Sequence, residues 1–432
     1  MFKDRAFVST FAGENCNFGR GDAVDGWTAE FVQHPDLAGK IHFVPSFFVD
    51  PNRFGDFRAV MDGAFAWDSG WPQKVDKQFT QQQLGKNLQN NVSISPALRV
   101  VNRILPVANL QGNTIIKTLE DELKSVLSPA QKAVSRFIGD TDLDSQFLQG
   151  LDTLHGQLRK RDPSGASKPT YMAAVAANFF THYGPDTFNK NVSYAFLSGY
   201  HSVLILFTQF AYLGDQHLLA KRWEAIISNR DQYDIVQILT WNDYGESHYV
   251  GPIKGALPNS EAWTIGFNHT AFLDVHKFYA QAFKTGSFPE ITEDRLVIWS
   301  RPHAALASAS DDRVGPPKNF DLFQDNVWAL AITSAPGKVI LETSPTNSKS
   351  FDVLRGVTKL AIRISPGDTM KGSIERNGQK VVEVTAPGFT FQANPDTFNY
   401  NYFVAGAGSK DGSSPPFTSS SLSPQPSPTT AS

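Results

Sequence analysis

The sequence predicts an α/β chain: a parallel sheet or barrel with helices between its strands, followed by a small antiparallel β-sandwich. Three observations point there. Over residues 1–296, short continuously apolar runs alternate with helical stretches, the pattern of strands buried on both faces. Over 320–408 the texture changes to alternating residues and tight-turn signals. Residues 409–432 are rich in Ser, Pro and Thr, a linker or tail that cannot bury a core.

Taken in order, Ala6–Phe11 reads as the first strand. KIHFVPSFF (40–48), GAFAWD (63–68), TYMAAVA (170–176) and YDIVQILTW (233–241) read as further buried strands, and LLAKRWEAIIS (218–228) as a helix among them. In the second region NVWALAIT, KVILET, TKLAIRIS and GSIERNGQKVVEV read as successive strands. Asn377-Gly378 supplies a two-residue hairpin turn. Setting inserts aside leaves about 195 residues in the first region, against roughly 250 for a complete barrel, so its first strands are expected to be absent.

Two stretches read as irregular inserts. Residues 88–168 are rich in Gln, Asn and Lys, with weak periodicity, and 192–210 (VSYAFLSGYHSVLILFTQF) is apolar without helical or strand alternation. The second approaches the length of a membrane helix but contains His201 and Gln209. Both open on the same tripeptide, Asn91-Val92-Ser93 and Asn191-Val192-Ser193, and Val-Ser is what the intron start GTAAGT encodes. Residues 192–210, and a stretch starting at 92, therefore read as translated intron; an ordinary surface loop is the other reading. Either should protrude with little burial.

Composition limits the partners. Net charge is −3, which offers no basic field for nucleic acid or an anionic membrane, so a neutral partner is expected. The 33 Phe and 8 Trp suit the apolar faces of sugar rings, although most Phe in any protein is core. Cys16 stands alone, so no disulfide forms within the chain. The N-terminus lacks the pattern of a signal peptide. A monomer without cofactor or metal is expected.

The chemistry concentrates in LTWNDYGESHYVGP (239–252), where Asp243 and Glu246 stand three apart among Trp241, Tyr244, His248 and Tyr249. The pair falls in the loop after a strand, the catalytic end of an α/β barrel. Two carboxylates ringed by aromatics meet the needs of glycoside hydrolysis: one protonates the leaving oxygen, the other activates water. An acid cluster capping a helix start is the other reading. A metal site of Asp243, Glu246 and His248 is not adopted, because zinc-type spacing is lacking.

VSTFAGE (8–14), FVPSFFVDP (43–51), DGAFAWDSGWP (62–72), FFTHYG (179–184), NKN (189–191), RWEAII (222–227) and the 239–252 motif resemble, in order, the fungal α-1,3-glucanases or mutanases of glycoside hydrolase family 71. The resemblance implies a TIM-type (β/α) barrel, here incomplete at its N-terminus because the family begins upstream of VSTFAGE. It implies endo-hydrolysis of α-1,3-glucan in the fungal cell wall with inversion, a secreted or cell-wall location, and no metal. Asp243 and Glu246 align with the catalytic carboxylates; Glu246, inherently the less acidic, is preferred as the acid. Glu14, Asp50, Trp67, Asp68, Trp71, His182, Tyr183, Trp241, Asn242, Tyr244 and His248 become candidate sugar-binding residues. Among them the tryptophans are candidate sugar platforms, and a structural salt bridge is the other reading for Glu14. The chain departs from the pattern at Ala177-Asn178, where relatives carry Pro-Trp. A non-catalytic glucan-binding remnant is the rival reading.

Overall fold

Five short strands of the first region point the same way in the computed structural model, which describes residues 2–90, 114–118, 123, 125–161, 168–184, 193–196, 203–206, 209–257 and 259–409. Ala6–Val8 pairs in parallel with Ile41–Phe43. Thr170–Val175 lies in parallel between Gly63–Ala66 and Ile235–Ile238. The amides of Asp62 and Phe65 donate to the carbonyls of Phe43 and Pro45 at 2.8 and 2.9 Å, which links the two groups. Spatial order thus follows chain order. The apolar runs place Ile41–Phe43, Gly63–Ala66 and Thr170–Val175 wholly inside. Ile235–Ile238, expected to be buried, is part exposed because it forms the outer strand of its sheet.

The expected barrel does not close among the described residues. The next strand, Arg295–Ser300, turns instead into antiparallel pairing with Asn326–Thr333 and Phe403–Gly408. The architecture is mixed α/β with several separate sheets.

In the second region one sheet runs Phe403–Gly408, Arg295–Ser300, Asn326–Thr333, Gly356–Arg363, Ile115–Thr118; the other runs Asn347–Val353, Gly337–Ser344, Lys371–Arg376, Gln379–Thr385. Their inner faces share a buried cluster that includes Leu296, Val327, Leu341, Leu360 and Ile374. The turn between the last two strands places Asn377 and Gly378 at φ 51° and 77°, the left-handed pair that a two-residue hairpin needs.

Within 88–168, ordered elements replace much of the expected irregularity. Asp142–Arg161 is a helix of 20 residues with Leu151 and Leu154 buried, and Ile115–Thr118 pairs in parallel with Gly356–Arg363. Residues 91–113 lie outside the described set. Of 192–210, Ser193–Phe196 and Val203–Leu206 pair with each other. Gln209 and Phe210 belong to a strand, Gln209–Tyr212, that pairs with Phe179–His182; the rest lies outside the described residues. Among the described residues no helix is long and apolar enough to cross a membrane.

One helix joins the two regions by buried charge. Arg222 of Leu218–Ser228 holds Asp144 at 2.6 and 2.7 Å, and the Tyr171 hydroxyl donates to the same carboxylate at 2.6 Å. Two positions on, Glu224 accepts from Lys359 of the antiparallel sheet at 2.7 and 2.5 Å and from the Tyr279 hydroxyl at 2.7 Å. Buried charges of this kind persist only when paired.

Candidate active site

The loop after Ile235–Ile238 is closed by its own main chain. The Thr240 amide donates to His248 O at 2.7 Å and the Val250 amide to Thr240 O at 2.9 Å. Inside it, Thr240 Oγ1 accepts the Asp243 amide at 2.9 Å and Asp243 Oδ1 accepts the Glu246 amide at 3.1 Å. These contacts aim both acids at the buried ring of His248. Its Nε2 lies 2.8 Å from Glu246 Oε2 and 3.6 Å from Asp243 Oδ2. Burial works against charge on His248, yet Asp243 and Glu246 outweigh it and raise its pKa. Asp243 is raised by burial, with His248 opposing and Glu246 adding to the shift.

A third carboxyl arrives from another strand. Gly63–Ala66 ends in a single turn, Trp67–Gly70, on which Asp68 is pushed up to about 7, by burial first and by the charge of Glu246 second. The turn is held from below: Ser69 Oγ donates to Ala66 O at 2.7 Å and accepts from Arg222 Nη2 at 2.9 Å. Arg222 is the group clamped by Asp144, so the buried ion pair beneath the sheet also sets the height of Asp68.

Aromatic rings wall the acids. Trp67, half-buried, meets His248 edge-on at 6.1 Å. Phe179 stacks on His248 at 5.7 Å, and Tyr212 stacks on Trp71 at 5.8 Å. Trp71 is not the sugar platform expected of it: it is buried, meets His248 edge-on at 5.2 Å, and donates its indole N–H to Asn178 O at 2.8 Å. Trp241 is open, 60% exposed, and lies so close over Gly251 that a Cβ there would come within 2.8 Å of the indole. Asn242 is exposed beside it.

Other candidates have structural duties. Tyr244 is buried, its hydroxyl donating to Pro252 O at 2.9 Å and accepting from the Lys254 amide at 3.0 Å. Asp50 caps the turn Pro51–Phe57 by accepting from the Asn52 amide at 2.9 Å. Glu14 accepts the Phe48 amide at 3.2 Å. Tyr183 does face the acids: its pKa is pushed up to about 12 by burial, then by Asp243, Glu246 and Glu261.

His182 is buried, with Nε2 2.7 Å from Asp312 Oδ2. Burial lowers its pKa despite Asp312. Sequence reasoning missed Asp312, which also accepts the amides of Val314, Gly315 and Phe398. It missed Phe179 and Tyr212 as walls as well. FFTHYG and the residues just after the apparent insert hold these two rings, and only strand pairing shows that they meet.

Among the described residues, Asp243, Glu246 and His248 form a group whose ligand atoms lie within 4.8 Å of one another. The Nε2 that would face an ion is within hydrogen-bond reach of Glu246, so a shared proton accounts for the geometry.

A model of glycosyl hydrolase family 71 matches residues 163–415, more than half of the chain. A glucan endo-1,3-alpha-glucosidase of Schizosaccharomyces pombe is 25% identical over 389 residues, covering 89% of this chain and 68% of the relative. A mutanase of Penicillium rubens is 25% identical over 304 residues, 69% of this chain and 62% of the relative. An ascus wall endo-1,3-alpha-glucanase of S. pombe is 23% identical, over 91% of this chain and 72% of the relative. The chain thus spans between 62% and 72% of these relatives' lengths. No solved structure matches it.

Proposed function

The chain belongs to glycosyl hydrolase family 71, a family of glycoside hydrolases, and on that premise we propose that it cleaves α-1,3-linked glucan within the chain. The observation that carries this is the Asp243–Glu246–His248 cluster at the end of a parallel strand, walled by aromatic rings. The names of the relatives support the substrate. A neutral polysaccharide also suits a chain of net charge −3 whose cleft offers acids and rings. A secreted or cell-wall location and a monomer go with this reading. The parallel strands of the first region are proposed to belong to a (β/α) barrel and the two sheets of the second region to a β-sandwich.

Hydrolysis needs one proton given and one taken. Glu246, with Oε2 2.8 Å from His248 Nε2, is positioned by that ring and serves as the base that takes a proton from water. Asp243, raised by burial, is the better donor to the leaving oxygen. This reverses the assignment drawn from intrinsic acidity alone. Oxygens of the two carboxyls lie within 4.8 Å, whereas inversion places the groups roughly 6.5–9.5 Å apart. Inversion by this pair therefore requires one side chain to swing aside when sugar and water enter. Asp68 supports a second reading, as donor opposite Glu246, because burial and that neighbour already hold it near neutrality.

Product stereochemistry tests both. Proton NMR of the first product from α-1,3-glucan is expected to show the β anomer, formed by inversion. Retention of the α anomer would remove the single-displacement mechanism. In side-by-side kinetics of Asp68→Asn and Asp243→Asn, the donor is the one whose loss is relieved by a substrate with an activated leaving group.

A further inference from the structure

A row of rings leads away from the acids along the same rim of the sheet. His248 meets Trp67, Trp67 meets Phe11 edge-on at 4.6 Å, and Phe11 meets Phe48 edge-on at 5.3 Å. Phe11 is 45% exposed, and the chain is built to present it. It bridges in parallel to Ser46, then turns back through Ala12 and Gly13 at φ 58° and 115°. Gly13 is pressed onto Trp27, whose indole N–H donates to Gly13 O at 2.8 Å. A Cβ at Gly13 would come 2.8 Å from that ring, so only glycine allows the close approach. Glu14 follows at once, with Oε2 on the Phe48 amide. A half-exposed ring, braced edge-on by Phe48 and with a carboxylate close by in the chain, results.

We propose that Phe11, Phe48 and Glu14 form a further glucosyl-binding subsite, remote from the bond that is cut and continuous with it through Trp67. The proposal rests on the glucanase reading above. A sugar ring has an apolar C–H face and a rim of hydroxyl donors; the exposed Phe11 ring covers the first with Phe48 bracing it edge-on, and a carboxylate accepts from the second while retaining its bond to the Phe48 amide. Continuity selects the occupant. A polymer with its scissile linkage at Glu246 runs past Trp67 to reach Phe11, whereas a short oligosaccharide held at the acids does not. The subsite therefore sets chain-length preference and leaves the chemical step alone.

The test is hydrolysis of α-1,3-linked gluco-oligosaccharides of increasing length by the full chain and by Phe11→Ala. KM for the longest substrates is expected to rise roughly tenfold, with the shortest unaffected and kcat held. Phe11→Tyr should restore the native KM. An unchanged KM for the longest substrate, or an equal rise at every length, overturns the subsite while native activity keeps the glucanase reading. A native chain that cleaves none of the series overturns the glucanase reading and the subsite with it. Should Phe11→Ala fail to fold, Glu14→Gln is read in the same way, with a rise of about threefold expected for the longest substrates only.

Discussion

Asp68 and the pair Asp243–Glu246 come together on segments built in opposite ways. In the loop from Thr240 to Gly251 the side-chain contacts that set the acids run between residues three apart, and its ends are joined by main-chain hydrogen bonds. Phe180, Trp263 and Thr264 bond only to its backbone carbonyls. The turn Trp67–Gly70 is held by partners far along the chain, Ser69 by Arg222 at 153 positions and Arg222 by Asp144 at 78. Acids set by local contacts can lose their charge without disturbing the fold. A turn propped by a buried ion pair cannot lose its prop so cheaply.

The largest separation of chemistry from stability is expected in Asp243→Asn and Glu246→Gln. Each should lower activity on α-1,3-glucan by roughly 10²–10⁴-fold while the melting temperature stays near that of the native chain. A large fall in melting temperature in either variant would break the contrast, because it would make the loop a structural element. The reverse is expected of Asp144→Ala, which strands a wholly buried guanidinium and the Tyr171 hydroxyl. Denaturant unfolding should show a loss of about 3–5 kcal/mol. Stability within error of the native value would remove the prop from beneath Asp68.

The pH dependence of stability sharpens the contrast further. Asp68 titrates near 7 folded and near its ordinary carboxylate value unfolded, so between those values the folded state binds more protons. Stability from this group is therefore full at acid pH and declines as pH rises from about 4 to 7. Asp68→Asn should flatten that part of the profile of melting temperature against pH. An identical slope in variant and native chain would show that Asp68 ionises freely when folded. The smallest effect is expected from Thr240→Val, which removes the acceptor for the Asp243 amide at a cost of about 1 kcal/mol. Its kcat should fall by more than that stability loss implies; an unchanged kcat would mean that Asp243 finds its place without the hydroxyl.

What was legible in the sequence follows the same division. WNDYGESHY declares itself because the side-chain contacts that orient its acids are local. The helix Leu218–Ser228, the strand Asn326–Thr333 and the Asn377-Gly378 turn were likewise readable from their own residues. Asp312 behind His182 was not, since 130 positions separate them. Neither was the burial of Trp71, against which Tyr212 stacks from just beyond an apparent insert. The strand Ile115–Thr118 was hidden for a related reason: its partner lies in the other region.

That strand has a consequence for how the chain matures. The outer edge of the five-stranded sheet is completed by residues made more than two hundred positions before their partner, Gly356–Arg363. During synthesis Ile115–Thr118 leaves the ribosome with nothing to pair with, and the sheet it belongs to finishes only when the C-terminal strands emerge. A chain cut between the two regions would leave one fragment with an orphan strand and the other with a bare edge. The fragments should therefore be soluble together and sticky apart, which makes the two regions one folding unit rather than beads on a string.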